Sequence, residues 1–325
     1  MARLIAICNQ KGGVGKSTTA VNVGSYLALS GHTTLLIDLD PQGNATTACG
    51  VQRNGLDRDV YEVLVNGLPA PEAILKTPIE RLDLMPASLD LAGAEPHLAS
   101  VEGREQLLRR ICESLKGSYE FILFDCPPSL GLLTVNALVA ADSTLIPVQC
   151  EYLALEGLNS LMRAITLIKQ TLNPSLRVGG IVLTMTDFRG NLAKEVAGEV
   201  KRYFKDLVFD TSIPRNVRLA EAPSFGKPIC LYDPNSTGAL SYQLLAQEVI
   251  MKEAKQEQAA GGSTPPAARP TVGRWRDDDE TVGARACRYH QWRGAARSAE
   301  LRSAARGPDS SRAVPAQERH QRSGA

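Results

Sequence analysis

The chain is expected to fold as an α/β domain, a mostly parallel twisted sheet with helices on both faces. Three observations predict this. Short runs of continuous apolar residues recur along residues 1–258, and helical patterns separate them. A glycine-rich loop within "NQKGGVGKST" (9–18) joins the first run to the first helix. Continuous apolar strands belong to a sheet buried on both sides, and the helices between them are the crossovers that parallel pairing needs.

The elements follow in order. "RLIAICN" (3–9) and "TTLLIDLD" (33–40) read as strands, with a helix over 16–31 between them that Gly31 ends. "LDLMPA" (82–87) is a further strand and "GREQLLRRICESLK" (103–116) an amphipathic helix. "YEFILFDCPP" (119–128) is a strand that ends on Asp125 and is stopped by two prolines. Then come a strand at 143–149, a helix over 153–171, a strand at 177–186, and helices over 191–205 and about 236–257. Such sheets bind ligands beyond the C-terminal ends of their strands. The ends of "LIAICN", "LLIDLD" and "FILFD" are therefore where chemistry is expected.

Composition divides the chain. Residues 1–258 carry 24 basic and 28 acidic groups, whereas 259–325 carry 12 Arg, no Lys and 7 acids. The second part opens with the linker-like "AAGGSTPPAARPTVG" and holds one Leu and no Ile, Phe or Met. It cannot bury enough apolar surface to offset chain entropy, so 259–325 is expected to be a disordered tail after a folded domain at 1–258. Two origins fit its Arg/Ala/Ser bias: out-of-frame translation, or a native basic tail adding salt-sensitive DNA affinity. The seven Cys show no metal or CxxC spacing and read as reduced, packed thiols. No apolar run is long enough to span a membrane.

"GGVGKST" (12–18) sits between a strand and a helix, as a phosphate-binding loop must. Gly12, Gly13 and Gly15 let backbone N–H groups, with those of Val14 and Thr18, approach phosphate oxygens. Lys16 places a charge on the β- and γ-phosphates, and the Ser17 hydroxyl is a Mg²⁺ ligand. The usual pattern would require glycine where Gln10 stands, and Lys11 adds a second lysine. "DLDPQGNAT" (38–46) puts two carboxylates at the end of the second strand, where Pro41 and Gly43 break it. Asp125 ends the third.

"KGGVGKS" resembles the deviant Walker A loop of the ParA/MinD/NifH ATPases. With "DLDPQGNAT", "DCPPSLGLLTVNAL" and "IPRNVRLAEAPSFGKPI" (213–229), residues 2 to about 255 resemble Soj-type ParA chromosome-partitioning ATPases. That resemblance implies an ATP- and Mg²⁺-dependent ATPase, slow on its own, that closes into a nucleotide-sandwich homodimer. Lys11 would reach the partner's phosphates, Asp40 orient the attacking water, and Asp125 hold Mg²⁺ through water. Asp40 would also lie near the metal, and Asp38 would support Mg²⁺ or the loop. Pro214 and Asn216 would contact the adenine. The dimer would bind double-stranded DNA without sequence preference, and a ParB-like centromere-binding protein would stimulate hydrolysis. The protein would be cytoplasmic and nucleoid-associated, with no membrane partner. DNA candidates are Arg189 and Arg218, and more weakly Arg215, Lys201 and Arg202. Because the loop begins at residue 11, no N-terminal helix-turn-helix is expected. A MinD-like membrane helix would need a basic amphipathic C-terminus, but the last helix alternates its lysines with acids. A NifH-like cluster would need a second cysteine to pair with Cys126.

Overall fold

The computed structural model describes residues 2–261 except 54, 152, 153, 188 and 190. The expected tail therefore lies outside the described residues, apart from 259–261, which continue the last helix, Thr237–Gly261.

Seven strands form one sheet: β1 (Arg3–Ile7), β2 (Thr34–Asp38), β3 (Leu75–Lys76), β4 (Leu82–Met85), β5 (Phe121–Asp125), β6 (Ser143–Gln149) and β7 (Arg177–Thr184). Their spatial order is β3-β4-β2-β5-β1-β6-β7. All pairs are parallel except β3 with β4.

Alternation along each strand assigns side chains to two cores. Leu4, Ala6 and Cys8 of the β1 segment, with Ile122 and Phe124 of β5, face Val63, Leu133, Leu158 and Val200. Ile5 and Ile7, with Phe121 and Leu123, face the other side, where helix α1 (Lys16–Leu29) and the last helix pack through Val23, Leu27, Tyr242 and Leu245. Gly24 lets α1 lie close to the sheet, since a Cβ there would sit 3.3 Å from Leu123. The Thr19 and Tyr242 hydroxyls share a buried hydrogen bond at 3.1 Å, which satisfies two polar groups at the contact between the two helices.

The structure adds elements the sequence patterns did not mark. One is α2 (Asn44–Ala48), a short helix after β2. Another is the helix Leu132–Ala140, "LLTVNALVA", whose all-round apolar character hides the helical period. The antiparallel edge strand β3 is two residues long.

Candidate functional site: a phosphate cleft at three strand ends

The strands β2, β5 and β1 are adjacent, and their C-terminal ends are in register. Asp125 pairs with Ile7 on one side and Asp38 on the other. This places the loop after β1, the loop after β2 and the end of β5 side by side.

The glycine loop runs from β1 into α1. Gly13 and Gly15 take φ 73 and 86, the left-handed region that other residues enter at a cost. A Cβ at Gly12, Gly13 or Gly15 would meet nothing within 4 Å, so conformation rather than crowding calls for glycine at 13 and 15. No side chain caps α1. Its first N–H groups are left for a ligand, and the helix dipole favours an anion there. The loop is pinned at both ends. Asn9 Nδ2 donates to Pro147 O at 2.7 Å, and Thr184 Oγ1 donates to Val14 O at 2.8 Å.

Lys16 is 7% exposed, and its ammonium donates to Lys11 O at 3.3 Å. Burial lowers its pKa, while Asp125 and Asp40 pull it back up. Asp125 is fully buried, and neither carboxylate oxygen accepts a hydrogen bond. Burial raises its pKa well above the usual carboxylate range, and Asp38 and Asp40 add to the rise. The Ser17 hydroxyl is close enough to oppose it, short of full hydrogen-bond geometry. A buried carboxylate whose two oxygens have no protein hydrogen-bond partner, beside a hydroxyl, suits a hydrated Mg²⁺ ion, which binds through few protein oxygens and keeps its waters.

Asp38 has a different fate. It accepts from Asp40 N (3.1 Å), Thr46 N (2.8 Å) and Thr46 Oγ1 (2.7 Å). Burial pushes it up to about 6 against those donors. Of the two roles open to it, bracing the loop is the one its hydrogen bonds serve. β2 stops at Asp38, so Asp40 lies two residues beyond the strand. There Asp40 Oδ1 accepts from Gln42 N at 2.9 Å. Asp40 is buried from bulk solvent yet borders the cleft.

The cleft has a volume of about 360 Å³. Gly12, Gly13, Gly15, Lys16, Ser17 and Thr18 line it from the glycine loop, Asp40 from the loop after β2 and Pro128 from the loop after β5. Met185, Leu219, Ala222 and Pro223 form an apolar wall. Met185 takes φ 50, a strained conformation for a side-chain-bearing residue, and such strain often marks functional sites. Pro214 and Asn216 are not among the described lining residues. Pro214 bridges to Thr186, and Asn216 caps the helix Val217–Glu221 through Leu219 N. Lys11 is also outside the lining. Its ammonium lies 2.5 Å from Glu151 Oε2, and Gln149 Nε2 holds the other oxygen of that carboxylate at 2.5 Å.

The basic candidates are exposed and mostly paired at home. Arg189 grips Asp187 through Nε (2.8 Å) and Nη2 (2.6 Å). Arg218 is 3.0 Å from Glu221 and 3.4 Å from Asp233. Arg202 pairs with Glu199 at 2.8 Å. Arg215 and Lys201 are exposed, and the charge of Arg215 also reaches Asp187. Residues absent from the sequence reading of the site include Thr46, Glu151, Met185 and the cleft-lining Asn22 and Lys227. Thr46 and Lys227 fall inside the segments 38–46 and 213–229, but nothing in those patterns singles them out, and Glu151, Met185 and Asn22 come to the site only through the fold.

Residues 2–178 match a family model described as an AAA domain. The chain is 53% identical over 249 residues to the sporulation initiation inhibitor protein Soj of Bacillus subtilis, covering 77% of this chain and 98% of that protein. It is 51% identical over 253 residues to the chromosome partitioning protein ParA of Myxococcus xanthus, covering 78% and 89%. A crystal structure named cobyrinic acid a,c-diamide synthase, from Mycobacterium smegmatis with bound ADP and magnesium, superposes with TM-score 0.68 at 35% identity, over 83% of this chain and all of that one. With half the sequence shared with Soj and ParA over nearly their whole lengths, the chain belongs to the Soj/ParA family of chromosome-partitioning ATPases.

Proposed function

We propose that the protein is an ATP-driven DNA-partition switch. The observation that carries this is Asp125, a buried carboxylate with both oxygens unpaired beside Ser17 and Lys16. Burying such a group without a partner is costly, and a Mg²⁺–nucleotide complex is the partner this loop suits. Bound MgATP supplies the phosphoanhydride that water cleaves to ADP and phosphate.

The chain's own groups do the rest. The N–H groups of residues 12–18 and the Lys16 ammonium hold the phosphates, and Ser17 and Asp125 hold the metal. Asp40 orients water, its carboxylate steadied by Gln42 N and its backbone by Asp38. Pro214 and Asn216 contact the adenine. Lys11 leaves Glu151 and reaches the partner subunit's phosphates, where a cation offsets developing charge. The closed homodimer binds double-stranded DNA through Arg189, Arg218 and Arg215. A ParB-like partner times hydrolysis, and the ADP state leaves the nucleoid. Among the described residues no helix is long and apolar enough to cross a membrane.

The test is duplex DNA binding by the full chain with ATP and with ADP, over a salt series. ATP-dependent binding whose log K falls linearly with log salt is expected. Equal binding with both nucleotides, or none with ATP bound, overturns the proposal.

A further inference from the structure

Lys227 lines the cleft together with Thr18, Val21 and Asn22, and the mechanism above gives it nothing to do. Its backbone is held from three directions. Lys227 N donates to Ala222 O at 3.2 Å. Two residues on, Ile229 N donates to Asn22 Oδ1 at 2.8 Å, tying the segment to α1. Just before it, Gly226 takes φ 61 and lies against Gly50, so that a Cβ on Gly226 would be 3.0 Å from Gly50 Cα. The side chain thus springs from a fixed base between α1 and the turn after α2.

Other cations of the molecule have protein partners. Lys11 has Glu151, Lys16 has Lys11 O, Arg53 has Pro41 O, and Arg218 has Glu221. The Lys227 ammonium has no acceptor among the described residues. The only carboxylate among the described lining residues is Asp40, and it belongs to the metal end. Lys227 is exposed and shares the cleft lining with Thr18 and Asn22, which follow Lys16 and Ser17 along α1, and its segment is tied to Asn22 through Ile229 N. In a loop of this kind Lys16 and Ser17 serve the β- and γ-phosphates and the metal. The charge left to satisfy farther along α1 is the α-phosphate.

We infer that Lys227 is a nucleotide-binding residue whose ammonium meets the α-phosphate, the charge that ATP and ADP share. This rests on the nucleotide reading of the cleft. It differs from the roles of Lys16 and Lys11, which act toward the γ end.

The experiment is calorimetric titration of full-length wild type, Lys227→Met and Lys227→Arg with ADP and with a non-hydrolysable ATP analogue, each with Mg²⁺. Lys227→Met is expected to weaken both nucleotides about tenfold and equally, as loss of one charge-assisted contact does. Lys227→Arg is expected to recover most of that loss. The melting temperature of nucleotide-free Lys227→Met should match wild type, because no internal contact is removed. An unchanged ADP affinity overturns the inference, including the case where only DNA binding falls. So does a lowered nucleotide-free melting temperature with both variants equally weak, which would make Lys227 structural. Failure of the wild type to bind either nucleotide would instead sink the nucleotide reading itself.

Discussion

The ends of β1, β2 and β5 and the segment from Asp187 to Asp233 both concentrate charge, but they handle it in opposite ways. At the strand ends, Lys16, Asp38, Asp40 and Asp125 are all buried, and the Asp125 oxygens are left unpaired. In the late segment Arg189 and Arg218 are exposed and paired with neighbouring acids. The first arrangement is unfavourable until a ligand arrives. The second is nearly neutral in energy, since water screens exposed ion pairs and they add little to stability. One region stores a demand for a specific partner, and the other keeps a weak, exchangeable surface. The proposed switch, holding one small molecule tightly and a long polyanion loosely, would have use for both.

The largest test of this contrast falls on Asp125. If its carboxylate is held at a cost, Asp125→Asn should stabilise the nucleotide-free protein by roughly 1–4 kcal/mol, visible as a melting temperature several degrees higher. The same variant should lose the extra stabilisation that MgATP gives the wild type. A destabilised nucleotide-free variant would show that the carboxylate is satisfied without ligand, and the contrast would collapse. Next in size is Asp40→Ala. It should keep ATP and DNA binding while turnover falls about 100-fold or more, the range for losing a group that positions or activates the nucleophile. Single-turnover phosphate release measures this. Normal release would move the water-orienting role away from Asp40.

The strand ends were legible in the sequence because their chemistry is local. The glycines, Lys16 and Ser17 are contiguous, and Asp40 and Asp125 close apolar runs, so strand order alone brings them together. The boundaries were less legible. β2 ends at Asp38 rather than carrying Asp40, because Asp38 turns back to brace Asp40 N and Thr46. That competition between a ladder and a side-chain turn is invisible in a hydropathy pattern. The helix Leu132–Ala140 was missed because burial on all sides erases its period. The Lys11–Glu151 pair spans 140 residues and has no sequence signal. The basic surface was least legible of all, since an arginine in a sequence does not announce its acid.

That last point gives the smallest and most discriminating prediction. Asp187 accepts two hydrogen bonds from the Arg189 guanidinium and a third from Arg189 N, and it also feels Arg215. These cations keep its pKa below the ordinary carboxylate range, so it stays ionised at any working pH. If Arg189 contacts DNA phosphate, Asp187 competes with DNA for the same guanidinium. Arg189→Glu should then weaken ATP-dependent DNA binding several-fold and lower the salt slope by about 1, as loss of one phosphate contact does. Asp187→Asn should act in the opposite direction. It releases the arginine, removes a repelling charge, and strengthens binding by about two- to fivefold at low salt, an effect that fades as screening rises. Nucleotide affinity should not move in either variant. If both substitutions weaken DNA binding, the pair acts as a structural turn that shapes the loop. If neither does, the surface lies elsewhere, and the exposed charge of the late segment is ordinary solvated charge.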